Sequence, residues 1–203
     1  MSVLVLLAHP NSPPSRVNAA LAEAARTVPG VTVHDLYETY PHFFVDVRRE
    51  QALVEAHDVV VFQHPMYWYS VPPLLKQWWD AVLEEGWAYG RDATATVGRT
   101  WAHALTTAGS AQSYSGPIDP ADDPTGRANL FGLDDYVKPW RQSARLCGMR
   151  WHPPFTVHEA ERLDDAQLAA ACDRYRAFLG GLAGATAAAP ASPAAAPAAA
   201  PRD

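Results

Sequence analysis

Cysteine is nearly missing from this chain. Glycine is missing from the one loop where a dinucleotide fold most needs it, and no apolar run is long enough to cross a bilayer. Each gap closes off a class. The two cysteines, Cys147 and Cys172, form no Cys-x-x-Cys pair and no metal-ligand spacing, so the plain reading is two reduced thiols in a cytoplasmic protein. Positive charge is in the minority: 16 Lys and Arg against 22 Asp and Glu leave a net charge of −6. That balance argues against nucleic acid or an anionic membrane as the main partner. The first residues lack the basic start and cleavage site of a signal peptide, and Pro10 interrupts them. His34, His42, His57, His103, His152 and His158 are scattered without ligand spacing, so no metal site is expected.

What is present is enough apolar material for one core, 48% of 203 residues. Residues 3–8 (VLVLLA) and 59–62 (VVVF) are continuous apolar runs, as strands covered on both faces would be. Further strands are predicted at 31–36, 101–106 and 155–158. Helices are predicted at 15–27, 48–56, 72–83, 134–146 and 164–179. Strands alternating with helices imply a three-layer α/β protein with a doubly wound, five-stranded parallel sheet of flavodoxin-like order 2-1-3-4-5. The expected domain covers residues 1–180. From 181 to 203 the chain is nearly all Ala and Pro, and is expected to be a disordered tail without chemistry.

In such a sheet the ligand lies beyond the carboxyl ends of the strands, at the switch point. Three loops therefore become site walls: 9–18, 63–71 and 106–115. The first reads HPNSPPSRVN and has no glycine, which weakens a nicotinamide–Rossmann reading even though Asp35 ends the second strand. It offers a helix start that Ser15 can cap, with Ser12, Ser15, Arg16, Asn18 and His9 as donors for a phosphate. An ordinary capped helix fits the same residues. The second wall places Tyr67, Trp68 and Tyr69 at a turn, between stiffening prolines. Turns normally carry small polar residues, and three adjacent rings cannot all point inward. Trp78 and Trp79 on the next helix should not both face one neighbour. The third wall, TTAG, sets the hydroxyls of Thr106 and Thr107 beside the small Ala108 and Gly109, letting backbone approach a flat ligand.

The set AHPxxxxSxxN, QHPMYWYSVPPLLKQWWD, GWAYG, TTAG and ARLCGM resembles the flavodoxin-like NAD(P)H:quinone oxidoreductases, in particular the bacterial branch that includes the ancillary reductase of the glutathione-gated potassium efflux system. The resemblance implies a homodimeric flavoenzyme that takes hydride from NADPH or NADH and passes two electrons, ping-pong, to a quinone-like acceptor. It implies FMN, with FAD left open. It places the phosphate arm at His9, Ser15, Arg16, Val17 and Asn18. The ring would lie between Met66, Tyr67, Trp68 and Tyr69 on one side and Thr106, Thr107, Ala108 and Gly109 on the other. GWAYG would lie near the partner subunit's site. Ala108 stands where the family usually has a second glycine. Animal members pair a Tyr with a His after this loop; Tyr114 matches the Tyr as a catalytic candidate, whereas Pro120 holds the matching His position. A loop tyrosine without a role fits equally well. Two alternatives accompany the reductase reading: a flavin-bound regulatory subunit on the cytosolic face of a potassium efflux transporter, peripheral at the inner membrane, and an electron-carrier flavodoxin.

Overall fold

The computed structural model describes residues 1–10, 15–117, 119, 121, 123, 125 and 128–185. Strand β1 (Val3–Leu7) leads to α1 (Arg16–Arg26), β2 (Val31–Asp35), α2 (Leu36–Thr39), α3 (Val47–Glu55), β3 (Val59–Pro65) and α4 (Pro73–Val82). Then follow β4 (Thr100–Thr106), a 3-10 turn at Gln112–Tyr114, α5 (Leu133–Tyr136) and α6 (Lys138–Leu146). The strands β5 (Arg150–Trp151) and β6 (Phe155–Val157) and the helix α7 (Asp165–Gly184) complete the order. The sheet is parallel, in the order β2-β1-β3-β4-β5, with β6 also on β4. This is the expected flavodoxin-like order with one added strand.

Alternation along the central strands sorts the core into two layers. Leu4, Leu6, Val60, Phe62, Trp101 and Leu105 pack on α3, α4 and α6. Val3, Val5, Val59, Val61, Ala102 and Ala104 pack on α1 and α7. On the first side Glu50 of α3 is fully buried. It accepts from Tyr40 Oη (2.5 Å) and Trp78 Nε1 (2.8 Å) and faces His34 Nε2 at 2.9 Å.

Several expectations shift, each for a physical reason. The fifth strand is two pieces, because Pro153 and Pro154 have no N–H to give the ladder. The register Trp101↔Trp151 and Ala104↔Phe155 shows one residue more on this side than on β4. The helix expected at 134–146 is broken at Val137, just ahead of Pro139. The closing helix runs to Gly184, past the expected boundary at 180; residues 186–203 of the expected tail lie outside the described residues. Trp78 and Trp79 are both buried, and both meet Phe62, with ring centroids 5.9 and 5.5 Å away. One wide ring on the sheet bridges two adjacent helix positions, contrary to the expectation. No described helix is long and apolar enough to cross a membrane.

Candidate functional site

The site is built from the inside out. Strand β3 carries three residues more than its sequence suggested, so Gln63, His64 and Pro65 belong to the sheet rather than to a loop. His64 is therefore core. Both His64 and His103 are buried beside Trp140. Hydrogen-bond logic fixes every proton between them. Trp101 Nε1 can only donate, so His103 Nε2 accepts (2.8 Å) and His103 Nδ1 is the protonated nitrogen. That N–H donates to His64 Nε2 (3.0 Å), whose Nδ1–H donates to the Pro65 carbonyl (2.9 Å). Burial pushes the His64 pKa down to about 4 and His103 well below the ordinary value. The chain holds the end of β3 in place, and Met66 N–H donates to Thr106 O at 2.8 Å to continue it.

From that anchored end rises a tight turn closed by reciprocal Tyr67–Ser70 backbone bonds of 3.0 and 2.9 Å. Its two central residues, Trp68 and Tyr69, have φ of 49° and 60°. Turns with two left-handed central residues normally use Asn-Gly, and a bulky residue there costs about 1–2 kcal/mol. Trp68 recovers nothing by burial, since it is 94% exposed. Tyr69 stacks on Tyr136 (4.8 Å, 20°) and donates to Asn129 Oδ1 (2.9 Å). Tyr67 instead faces His9, with ring centroids 6.2 Å apart. Met66 is half-buried against the core.

Across from Tyr67, helix α1 starts as expected. Ser15 Oγ accepts from the Asn18 N–H at 3.1 Å, which leaves the N–H groups of Arg16 and Val17 without intrahelical partners. Such a helix start favours an anion. Arg16 bonds the Leu163 carbonyl at 2.7 Å and pairs with Asp165; both side chains are solvated, so the pair holds Arg16 weakly. Asn18 is a buried strut. Its Nδ2 donates to Ser15 Oγ (3.2 Å) and Thr106 Oγ1 (2.9 Å), and its carbonyl accepts from Gln63 Nε2 (2.8 Å). Asp35 is likewise committed, capping α2 through the N–H groups of Tyr37 and Glu38. Ser12 lies outside the described residues.

The β4 wall is similar. Thr106 and Thr107 are buried, and their hydroxyls serve the protein: Thr106 takes the Asn18 bond, and Thr107 Oγ1 donates to Gly109 O at 2.9 Å. Ala108 has no positive φ, so its methyl group is accommodated. Space at Gly109 is tight: a Cβ there would lie 3.1 Å from Tyr114 Cε2, and that ring would have to give by a few tenths of an ångström. Tyr114 folds over this glycine, stacked on His158 (5.7 Å, 30°) and edge-on to Tyr136. Pro120 lies outside the described residues.

The start of α1 and the aromatic turn meet at a cavity of about 440 Å³ lined by His9, Ser15, Arg16, Val17, Tyr67, Ala160 and Glu161, within the range of small-molecule and cofactor sites. Ala160, Glu161 and His158 come from the loop after β6, which sequence reasoning missed. The residues present fit a flavin mononucleotide: an anion-ready helix start and an exposed, stiff aromatic turn on one cavity. GWAYG packs on its own subunit. Gly86 and Gly90 supply φ of 84° and 101°, and Trp87 Nε1 donates to Glu55 Oε1 at 2.7 Å.

The chain has clear counterparts among known proteins. A family model described as Flavodoxin-like fold matches residues 1–179. The chain is 42% identical over 175 residues to the protein named "Uncharacterized NAD(P)H oxidoreductase YdeQ" of Bacillus subtilis (strain 168), covering 86% of this chain and 84% of that one. It is 41% identical over 174 residues to the glutathione-regulated potassium-efflux system ancillary protein KefF of Klebsiella aerogenes, covering 86% and 92%. Among solved structures, general stress protein 14 of Treponema denticola in complex with FMN is 37% identical, with a TM-score of 0.78, covering 90% and 99%.

Proposed function

The chain belongs to the family described as Flavodoxin-like fold, and from that premise we propose that it is an FMN-dependent NAD(P)H oxidoreductase acting on quinone-like acceptors. The observation that carries the reading is the strained aromatic turn at Tyr67–Ser70, set across the cavity from the start of α1. The FMN in the Treponema denticola relative and the name of the Bacillus subtilis relative support it.

Bound there, FMN would supply two-electron hydride chemistry between NADPH or NADH and the acceptor. The chain supplies binding and placement. Ser15 and the N–H groups of Arg16 and Val17 would hold the phosphate, with Arg16 released from its solvated pair to join them. Tyr67 and Trp68 would pack on the ring system, as would the backbone from Thr106 to Gly109, held by Asn18, and Tyr114. Asn18, Thr106 and Thr107 act by fixing these walls.

The rings left in solvent by Phe44, Trp68 and Phe131 support a homodimer, since exposed aromatics are enriched at interfaces. Likeness to the potassium-efflux ancillary protein supports a second role, docking on the cytoplasmic side of such a transporter. Both roles fit a cytoplasmic protein.

The test is a visible spectrum followed by an anaerobic titration. The purified protein should be yellow or take up FMN, bleach on addition of NADPH, and regain colour when a quinone is added. Persistent yellow under NADPH removes the reductase role and leaves the docking role. A colourless protein that refuses FMN removes both.

A further inference from the structure

The cavity at the start of α1 has a lip of opposite charge. After β6 the chain makes a short 3-10 turn, Ala160–Arg162, and this turn is pinned from two sides. Glu159 N–H donates to Gly109 O (3.1 Å) and Ala160 N–H to Thr107 O (3.0 Å), while the Leu163 carbonyl accepts from Arg16 at 2.7 Å. Glu159 takes a left-handed φ of 52° at the entry. The pins set Ala160 and Glu161 on the cavity wall beside Ser15, Arg16, Val17 and Tyr67. Arg162, the next residue, pairs with Glu159 at 3.4 Å, and Glu161 has no ion pair among the described residues. Burial raises the Tyr67 pKa and the Glu161 charge adds to the rise, so the carboxylate acts on the cavity's other residues.

Such a wall is an unusual seat for a phosphate. Among the described residues that line the cavity, Arg16 is the one cation and Glu161 the one carboxylate. His9 adds no full charge, because burial lowers its pKa from the ordinary 6.5. Arg16 is itself turned toward α7, where it pairs with Asp165. The lining is therefore neutral overall, and the start of α1 contributes about half a positive charge. A phosphate monoester brings about −1.5 to −2 at pH 7. We propose, building on the flavin reading, that Glu161 is a specificity-determining residue for the cofactor's arm. Its carboxylate opposes negative charge there, so the cavity prefers FMN over riboflavin by less than Ser15, Arg16 and the helix start alone would give. The penalty falls on the phosphorylated flavin and leaves the uncharged one untouched.

The test compares FMN and riboflavin binding, by quenching of flavin fluorescence, in full-length wild type, Glu161→Gln and Glu161→Lys freed of flavin. Glu161 is exposed, so neither change disturbs the core. In dilute buffer the ratio of FMN to riboflavin affinity should rise about threefold in Glu161→Gln, the scale of one solvated ion pair, and further in Glu161→Lys. Riboflavin affinity should be the same in all three proteins. At about 1 M salt, where charges are screened beyond roughly 3 Å, the three ratios should draw together. An unchanged ratio in both variants overturns the proposal, while FMN binding upholds the flavin reading. A fall in both affinities in Glu161→Gln also overturns it, because the carboxylate would then be accepting hydrogen bonds from the sugar alcohol that both flavins carry. Binding of neither flavin by any of the three proteins removes the flavin reading itself, and the specificity with it.

Discussion

Trp68 is held where neither backbone preference nor burial favours it. Its φ of 49° is a left-handed value, and its ring is 94% exposed. Strain of this kind persists where surrounding structure enforces it, and it clusters at sites that bind. The expectation follows that Trp68→Gly stabilises the apoprotein by about 1 kcal/mol in urea unfolding, because glycine enters this region freely. The same change should weaken FMN retention, read by fluorescence titration. Equal or lower apoprotein stability would show that the turn is not strained, and unchanged FMN affinity would remove Trp68 from the site. The sequence showed this residue as anomalous through its neighbours, three rings at a turn. It could not show that Tyr69 lies down on Tyr136 while Tyr67 alone faces His9, because α5 reaches that spot only through the fold.

Among the elements, the end of β3 is anchored by the relay from Trp101 through His103 and His64 to the Pro65 carbonyl. Replacing His103 by Leu leaves the Trp101 N–H and the His64 Nε2 buried without partners. A loss of about 3 kcal/mol in unfolding free energy is expected from two such groups, together with a shifted visible spectrum of bound flavin as the aromatic turn loses its base. A spectrum identical to wild type would separate the relay from the site. Much at this scale was legible in advance. Continuous apolar runs marked β1 and the first part of β3, since strands covered on both faces have no polar side to alternate. Ser15 announced the start of α1, and the switch-point rule selected the three loops. The loop after β6 escaped because Pro153 and Pro154 hid the strand end, and because His158 meets Tyr114 from far along the chain. The polar side chains at 18, 106 and 107 were read as free donors; only packing reveals that they bond to one another or to the protein's own backbone.

For the molecule as a whole, the buried histidines set a limit on the acid side. His64 titrates at about 4 in the folded protein against an ordinary 6.5, and His103 is depressed as well. The folded state therefore binds fewer protons than the unfolded chain, so stability is complete above about pH 6.5 and declines as pH falls toward 4. Glu50 extends the decline. Burial alone would raise its pKa, but hydrogen bonds from His34, Tyr40 and Trp78 outweigh that and hold it below 4.5, so its contribution disappears as the pH falls further, through its folded value. Unfolding free energy should drop by about 3 kcal/mol between pH 7 and pH 4 from His64 alone. A denaturation midpoint constant over that span would mean that the two rings are charged or wet. The interrupted fifth strand affects the whole particle differently. Where β5 yields to β6 the outer margin of the sheet shows two short ladders separated by Pro153 and Pro154, so a foreign strand finds no long straight seam on which to crystallise as cross-β, and the chain can be concentrated with that border self-guarded.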